Sequence, residues 1–267
     1  MANMPLTAAL REEYEALFDT CMIRGEHAAI VERTVDKLRD NRNTYAKAEE
    51  ASGVPWHFIA VIHNMESSLN FKCHLHNGDP LTARTVQVPK GCPKTGTPPF
   101  RWEGSAADAL ALKKLDESTD WTLAGTLYQL ERYNGFGYRI YHPEVKSPYL
   151  WSFSNHYTSG KYVADGTWSH TAKSQQLGAA VLLRRMAERR EIEFEDESPA
   201  DETGPLIVSY STKKPRNEEE RTRAEDLQRW LNTFPGVFVK VDGVPGERTS
   251  NAYRVVTGAY LPGDPRR

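Results

Sequence analysis

Apolar residues recur at helical spacing over most of the first 190 residues of the chain. Leu6 to Ile23 is amphipathic, and residues 28–51 carry apolar side chains roughly three or four positions apart. Gly53, Val54 and Pro55 then interrupt the pattern, and a proline suits the first turn of the helix that follows. We therefore predict helices on both sides of this interruption.

Further helical patterns follow after one polar excursion. They cover residues 102–115, 121–133 and 173–190. The segment of residues 70–101 is instead rich in glycine and proline, and alternation over residues 83–88 predicts a short strand or hairpin there. The predicted fold class is mainly α, an α+β domain with a small β-hairpin region.

The last third of the chain has a different organisation. Residues 191–205 are acidic and poor in apolar anchors, which is typical of a solvated linker. Residues 206–267 predict a small helical module after the domain of residues 1–190. Four aromatic residues are expected to fill the core of this module: Trp230, Phe234, Phe238 and Tyr253.

Composition narrows the class of protein. The 267 residues are 39% apolar and 26% charged, as in soluble globular proteins, and the net charge of −2 gives no basic field for nucleic acid. The longest apolar stretch, Phe58 to Ile62, is much shorter than the ~20 residues of a membrane span. Because Met1 to Pro5 has no signal-peptide features, we expect synthesis in the cytoplasm without a Sec signal.

The three cysteines do not form a disulfide framework. Cys73 and Cys92 flank the polar excursion and could pair, whereas Cys21 has no evident partner. Reduced thiols are the alternative interpretation.

Glu66 is the most informative candidate for chemistry. It ends the apolar, helix-like run from Pro55 to Ser68 and precedes the polar excursion. Apolar surroundings disfavour the charged carboxylate and raise its pKa, while the polar side can hold a substrate. This combination is typical of a glycosidase general acid.

Asp79 is the candidate for a second carboxylate. It lies 13 positions after Glu66, and glycosidases use two carboxyl groups around the scissile bond. An aspartate before a proline is also a common turn residue, so a structural role stays open.

Zinc binding is another interpretation of the same region. His63, Glu66 and either His74 or His76 could supply zinc ligands in an amidase or peptidase. The spacing of His63 on the helix equally allows it to orient Glu66.

Aromatic and amide side chains follow a later helix. Tyr133, Asn134 and Tyr138 surround an Asn-Gly helix stop and could bind sugars by stacking and hydrogen bonds, or simply end the helix. A second aromatic-rich stretch, from Tyr149 to Tyr157, could line a saccharide groove or pack internally.

These motifs resemble a known family. Glu66-Ser67-Ser68 at a helix end resembles the Glu-Ser element of lysozyme-like muramidases and lytic transglycosylases, and residues 133–137 are similar to their later Tyr-Asn motif. Asp79 and Thr85 are similar in order to the Asp and Thr of the β-hairpin in phage-type lysozymes. The resemblance implies catalytic roles for Glu66, Asp79 and Thr85, without metal or cofactor. The substrate contacts it implies are His63, Asn77, Gln87, Tyr133, Asn134 and Tyr138.

The C-terminal module resembles a small helical peptidoglycan-binding domain. Three segments carry the resemblance: residues 226–232, 241–249 and 252–253. Asp242-Gly243 predicts a turn, and Thr249 or Ser250 is expected to cap the last helix.

The combined resemblance implies a monomeric, endolysin-like peptidoglycan hydrolase. It would cleave between N-acetylmuramic acid and N-acetylglucosamine with Glu66 as general acid, and reach the wall through a holin or a secretion system. Three alternatives stay open: a lytic transglycosylase with Glu66 as sole acid and base, a zinc amidase or peptidase, and a non-catalytic wall-binding protein. Peptidoglycan is the expected partner in each, without nucleic acid or membrane insertion.

Overall fold

The apolar spacing predicts a mainly helical protein, and the computed structural model confirms it. The structure describes residues 4–164, 166–195, 208–234 and 236–266. The predicted linker after residue 195 therefore lies outside the described residues. The described helices are α1 (Ala8–Asp19), α2 (Ala28–Asp40), α3 (Arg42–Ser52), α4 (Trp56–Ser67), α5 (Trp102–Leu112), α6 (Leu123–Asn134), α7 (Gly137–Tyr141), α8 (Pro148–Trp151), α9 (Ala179–Glu188), α10 (Glu218–Leu231) and α11 (Glu247–Thr257).

The chain divides into two compact units. The larger is Leu17–Phe194, and the smaller combines Met1–Ala16 with Glu195–Arg267. The division near residue 194 lies close to the predicted end of the first domain. The first residues, however, group with the C-terminal unit, which the sequence pattern does not indicate.

Helix α4 is the centre of the larger unit. Phe58, Ile59, Val61 and Ile62 are fully buried, and the helix contacts α3, α6 and α9. Each such side chain contributes about 1.5–3 kcal/mol of burial free energy. Because neighbours cover α4 on nearly all sides, its run of apolar residues is continuous rather than amphipathic.

The start of α4 is fixed by local interactions. The Trp56 backbone N–H donates to Glu49 Oε1 at 3.0 Å, which satisfies one of the free amides at the helix start. Gly53, which ends α3, has φ of 72°, and a Cβ there would lie 2.8 Å from Glu117. Pro55 precedes the helix, as the sequence predicts.

The helical pattern of residues 28–51 is two helices rather than one. The break is at Asn41, whose side-chain amide donates to the Lys37 carbonyl at 2.8 Å. A side chain that occupies a helix carbonyl competes with the backbone ladder.

The strand or hairpin predicted at residues 83–88 is wrong. This segment is irregular with bends, because the N–H groups of Val86 and Gln87 donate to the Asp79 carboxylate instead of to a neighbouring strand. Among the described residues, the two-stranded sheet lies elsewhere, with β1 (Lys161–Ala164) antiparallel to β2 (Thr167–Ser169).

The smaller unit has its own apolar core around α10 and α11. The buried residues of this core are Leu227, Leu231, Val239, Ala252, Val256 and Leu261. Trp230, Phe234 and Tyr253 pack against it as predicted, but Phe238 is 87% exposed, so its assignment to the core is wrong. A residue in a loop has no periodic neighbour to fix which way it faces.

A buried glutamine organises the loop of this unit. Gln228 Nε2 donates to Asp242 Oδ1 at 3.0 Å and to Thr249 Oγ1 at 3.2 Å, and Gln228 Oε1 accepts from the N–H groups of Asp242 and Gly243. Thr249 and Ser250 lie inside α11 and do not cap it, which corrects the prediction. Ser250 instead contacts Asp264.

Two further sequence expectations concern thiols and membranes. Cys21, Cys73 and Cys92 are all free thiols. Among the described residues, no helix is both long enough and apolar enough to span a bilayer.

Candidate active site

Glu66 lies in the last turn of α4, where the helix ends abruptly. The next residues, Ser68 and Leu69, have φ of 51° and 61°, a left-handed conformation that non-glycine residues seldom adopt. Their backbone N–H groups both point to the His63 carbonyl, and Ser67 Oγ donates to it at 3.1 Å. This turn directs the chain away from the helix and leaves the Glu66 side chain uncovered.

The Glu66 carboxyl group is accessible and at the same time closely surrounded. Its side chain is exposed to solvent, yet enough protein surrounds the carboxyl group for burial to raise its pKa. The two observations agree if the surface is concave, because a group in a cleft contacts water and has protein on several sides. Glu66 therefore combines access with a preference for the protonated form.

Two groups oppose this rise in the pKa of Glu66. Tyr149 Oη donates to Glu66 Oε1 at 2.8 Å, and the positive charge of Lys113 is near enough to favour the carboxylate. Burial is the larger effect, so the net direction is upward. The Glu66 carboxyl group thus prefers its neutral form, and Tyr149 and Lys113 stabilise its negative charge once it is ionised.

Tyr133 completes the surroundings of Glu66. Lys113 Nζ lies 4.5 Å from the centroid of the Tyr133 ring, and burial together with the Glu66 charge raises the pKa of Tyr133. The same two causes raise the pKa of Tyr149 far above its ordinary value. Both phenols therefore stay neutral and able to donate. We refer to Glu66, Lys113, Tyr133 and Tyr149 as the Glu66 cluster.

The Glu66 cluster is chemically suited to proton transfer. A protonated Glu66 can donate to an oxygen that approaches from the open side. After transfer, the Tyr149 hydroxyl and the Lys113 charge stabilise the carboxylate that remains. An accessible carboxyl group with a raised pKa and these neighbours has the properties that a general acid needs, and the same group can later accept a proton.

Asp79 lies in a hydrogen-bonded loop of its own. Its Oδ2 accepts from the N–H groups of Val86 at 2.7 Å and Gln87 at 3.1 Å, and from Asn77 Nδ2 at 3.1 Å. The backbone N–H groups of Gln87 and Val86 lower the pKa of Asp79, so it is ionised at neutral pH. Asp79 therefore organises the excursion and keeps a full negative charge.

Thr85 and its neighbours belong to the same loop. The buried Thr85 hydroxyl donates to the Pro89 carbonyl and accepts from the Cys92 N–H at 2.9 Å. Asn77 Oδ1 accepts a hydrogen bond from the Asp79 N–H at 3.0 Å. The Gln87 side chain is exposed. The structure thus brings Asn77, Asp79, Thr85 and Gln87 together in one loop. Within the described part of the chain, none of these four forms a hydrogen bond or ion pair with the Glu66 cluster.

His63 belongs to the core rather than to the surface. It has no exposed area, its Nδ1 lies 3.0 Å from Tyr45 Oη, and its ring packs against Phe71 and Trp102. Burial lowers the pKa of His63 to about 4, so the ring is neutral. In this position His63 supports the end of α4 and offers no surface to a ligand.

The ligand set proposed for zinc is not assembled around Glu66. His74 is buried, with Nδ1 2.6 Å from Ser105 Oγ and Nε2 2.8 Å from the Ala83 carbonyl. Across the described residues, the group with metal-ligand spacing is His76, Cys92 and Asp108, whose donor atoms lie within 4.8 Å of one another.

This second group has the donor types that zinc prefers. His76 Nε2 already contacts Asp108 Oδ2 at 2.9 Å, so these two residues have a partner without a metal. Burial lowers the pKa of His76, and Cys92 is buried beside it. Among the described residues, these three have the donor types and spacing that could hold a metal ion.

Tyr138 and Asn134 lie beyond Tyr133 along the chain. Asn134 is exposed as the last residue of α6. Tyr138, in α7, packs edge-on against Tyr162 and Trp168 of the β-hairpin. Tyr138 thus belongs to a half-buried aromatic cluster with Tyr162 and Trp168.

Sequence reasoning found Glu66 and Tyr133 but missed Lys113. Nothing in the local pattern around Lys113 distinguishes it from other lysines near a helix end. Tyr149 belongs to the aromatic-rich stretch that was open to either a groove or a packing role, and its contact with Glu66 supplies a specific one.

Comparison of the chain with protein-family models, with curated proteins and with solved structures gives no match. Function is therefore inferred from the residues and contacts described above.

Proposed function

We propose that this protein cleaves the glycan strand of peptidoglycan and that Glu66 is the proton donor to the glycosidic oxygen. One observation carries the proposal: Glu66 is solvent-accessible, and burial nevertheless raises its pKa. A general acid needs both properties, because it must reach the substrate and be protonated when the substrate arrives.

Tyr149 supports this role by fixing the carboxyl group. Its hydroxyl occupies Glu66 Oε1, which leaves Oε2 for the proton that is transferred. Once the proton has left, the hydrogen bond from Tyr149 and the charge of Lys113 favour the carboxylate. Both groups therefore stabilise Glu66 more after the transfer than before it, which is the property that accelerates a reaction.

Hydrolysis needs a second group that stabilises positive charge or activates water. In the muramidase reaction proposed here, Asp79 is that carboxylate and Thr85 helps to position water. The lowered pKa of Asp79 supports this role, since the second carboxylate of a glycosidase acts in its ionised form.

A lytic transglycosylase is the second candidate, and one observation favours it. The hydrogen bonds of Asp79 and Thr85 lie within their own loop, which suits a structural role for both. Glu66 would then act alone, first as acid and later as base, and the product would be an anhydro sugar formed without water.

The C-terminal module is proposed to hold the enzyme on the wall. Its support is the hydrogen-bond network of Gln228, which fixes the loop at Asp242 and Gly243 and joins it to Thr249. These are the positions that carry the resemblance to a peptidoglycan-binding domain. Tethering would raise the effective concentration of glycan near Glu66.

The test is the chemistry of the released fragments. Purified peptidoglycan is digested with the wild type, with Glu66→Gln, and with Glu50→Gln as a matched control on an exposed helix position. Mass spectrometry is expected to find reducing muramic ends from the wild type and from Glu50→Gln. Glu66→Gln is expected to lose about 10²–10⁴-fold in rate.

Other outcomes separate the alternatives. Anhydro ends would show that the enzyme is a lytic transglycosylase rather than a hydrolase, with Glu66 still as the proton donor. Free stem peptides with intact glycan would indicate an amidase or peptidase. Undiminished glycan cleavage by Glu66→Gln would exclude the Glu66 mechanism, and binding without fragments from the wild type would indicate a non-catalytic wall protein.

A further inference from the structure

The smaller unit contains a cavity that involves none of the residues of the Glu66 cluster. Its volume is about 510 Å³, within the range of small-ligand sites. The wall combines cationic side chains with apolar surface from Val208, Tyr210, Pro215 and Pro245. A cavity of this size with convergent polar groups is a candidate binding site.

Three of the four cationic side chains that line this cavity have no ion-pair partner among the described residues, whereas the fourth, Arg223, pairs with Glu219. The three are Lys213, Lys214 and Arg216, which are exposed and whose charged groups form no ion pair or hydrogen bond with another described residue, although the backbone N–H groups of Lys213 and Arg216 donate to Ser211 and Glu220. Elsewhere in the same unit, arginines are paired with carboxylates, as in Arg221 with Glu225 and Arg229 with Asp226. Three unpaired cationic side chains therefore lie close together at the cavity.

One acidic residue narrows the class of ligand. Glu220 lies in the same wall, and its carboxylate accepts a hydrogen bond from the Arg216 backbone N–H at 2.9 Å. A ligand with only negative charge, such as a phosphate polymer, would be repelled by Glu220 while it contacts the lysines. A short peptide with carboxylates and one amino group can match both signs, and its backbone can pack on Tyr210 and the prolines.

We propose that this cavity binds an acidic peptide, with Lys213, Lys214 and Arg216 contacting its carboxylates and Glu220 contacting its amino group. Peptides of this chemistry cross-link the glycan strands of cell walls, so the biological identity of the ligand rests on the proposed function. The cavity and its charges do not depend on Glu66. Through this cavity, the C-terminal module would bind the peptide part of the wall while Glu66 acts on the sugar part.

The experiment measures peptide binding to the full chain by isothermal titration calorimetry. The probe is an N-acetylated pentapeptide with a glutamate side chain, a lysine side chain as its one amino group, and a free C-terminal carboxylate. Its amidated form, in which both carboxylates are neutral, and inorganic phosphate are the comparison ligands. The variant Lys213→Glu/Lys214→Glu reverses the charge, and Arg248→Glu is the control, because Arg248 is exposed in the same unit but does not line the cavity.

The wild type is expected to bind the acidic peptide with an affinity that falls as salt rises. The double variant and the amidated peptide should each weaken binding at least tenfold, and Arg248→Glu should stay within twofold. Equal thermal unfolding of all three proteins will show that the fold is intact.

Four results would overturn the inference: no peptide binding, equal binding of the amidated peptide, equal weakening by Arg248→Glu, or binding of phosphate without the peptide. Glycan cleavage by the wild type is measured in parallel. Cleavage without peptide binding overturns this inference alone, whereas peptide binding without cleavage overturns the proposed glycan cleavage and leaves the peptide site in place.

Discussion

Tyr149 donates a hydrogen bond of 2.8 Å to Glu66 Oε1 across 83 positions of the chain. The phenol is buried, and burial together with the Glu66 charge keeps it neutral. When Glu66 is ionised, the hydrogen bond runs from Tyr149 to Glu66, and it favours the carboxylate. Without this contact, burial would act on the pKa of Glu66 with only Lys113 opposing it.

The first prediction concerns Tyr149→Phe and the pH dependence of glycan cleavage. A general acid loses activity as pH rises through its pKa, so Glu66 sets the alkaline limb of the profile. Because the Tyr149 hydrogen bond lowers this pKa, its removal should move the limb to higher pH. A hydrogen bond to a charged group contributes about 1.5–3 kcal/mol, so the rate at the optimum should fall by no more than about 150-fold.

The control for Tyr149→Phe is Tyr157→Phe. Tyr157 is also a buried tyrosine, and its hydroxyl contacts the Gly160 carbonyl and the Ser174 N–H rather than Glu66. Its removal should leave the alkaline limb where it is. A limb that stays in place for Tyr149→Phe, or moves to lower pH, would contradict the assignment of Glu66 as the acid.

The second prediction tests the charge of Lys113. Lys113→Met removes a cation that favours the Glu66 carboxylate, so it should also move the alkaline limb to higher pH. The shift should shrink as ionic strength increases, because an exposed charge is screened by salt. Lys114→Met is the matched control, since Lys114 is exposed next to Lys113 but is not among the groups that shift the pKa of Glu66. Equal shifts for the two variants would indicate a general charge effect.

The third prediction concerns the support beneath α4. Tyr45→Phe removes the contact to His63 Nδ1, and His63 Nε2 already lacks a partner among the described residues. A buried ring with an unpaired nitrogen should cost about 1–3 kcal/mol in the free energy of unfolding, measured by urea denaturation. In the cycle with His63→Phe, the two losses should be less than additive, because both variants remove the same contact. Full additivity would argue against the Tyr45–His63 hydrogen bond.

The helices that carry Glu66 and Tyr133 could be predicted from the chain, because each depends on local periodicity and on stop signals. The break at Asn41 could not be predicted, since it depends on whether the Asn41 side chain donates to water or to the Lys37 carbonyl. Alternation at residues 83–88 resembles a strand, but Asp79 occupies the N–H groups that a ladder would need.

The residues of the candidate site also differ in whether neighbouring sequence or distant packing determines their place. Glu66 was recognisable because its apolar helix and the polar loop are adjacent in sequence. Tyr149 and Lys113 reach it from distant segments, and only the packing of α4 against its neighbours brings them there. His63, three positions from Glu66, faces the core instead, because α4 is covered on nearly all sides.

The fourth prediction separates metal-dependent chemistry from chemistry at Glu66. Glu66 is not part of the group formed by His76, Cys92 and Asp108, so glycan cleavage should persist in the presence of a chelator. Cys92→Ser should likewise retain the wild-type rate within about twofold if the fold is intact. Loss of cleavage on chelation, with recovery on adding zinc, would favour a metal-dependent enzyme over the Glu66 mechanism.

The last prediction uses Asp79→Asn to separate the two roles of this residue. The amide keeps the shape of the side chain but removes the charge that accepts from Val86 and Gln87. If Asp79 is the second carboxylate of a hydrolase, the rate should fall by about 10²–10⁴-fold. If Asp79 only organises the loop, a destabilised loop and a much smaller loss of rate are expected.

Asn77→Ala is the matched control for this variant, because Asn77 contributes to the same loop without a carboxylate. The loss of thermal stability in Asn77→Ala shows how much of the stability loss in Asp79→Asn comes from disturbing the loop alone. A rate loss for Asp79→Asn far beyond that of Asn77→Ala, with reducing ends among the products, would support hydrolysis by two carboxylates. Similar small losses, with anhydro products, would instead leave Glu66 as the sole acid and base.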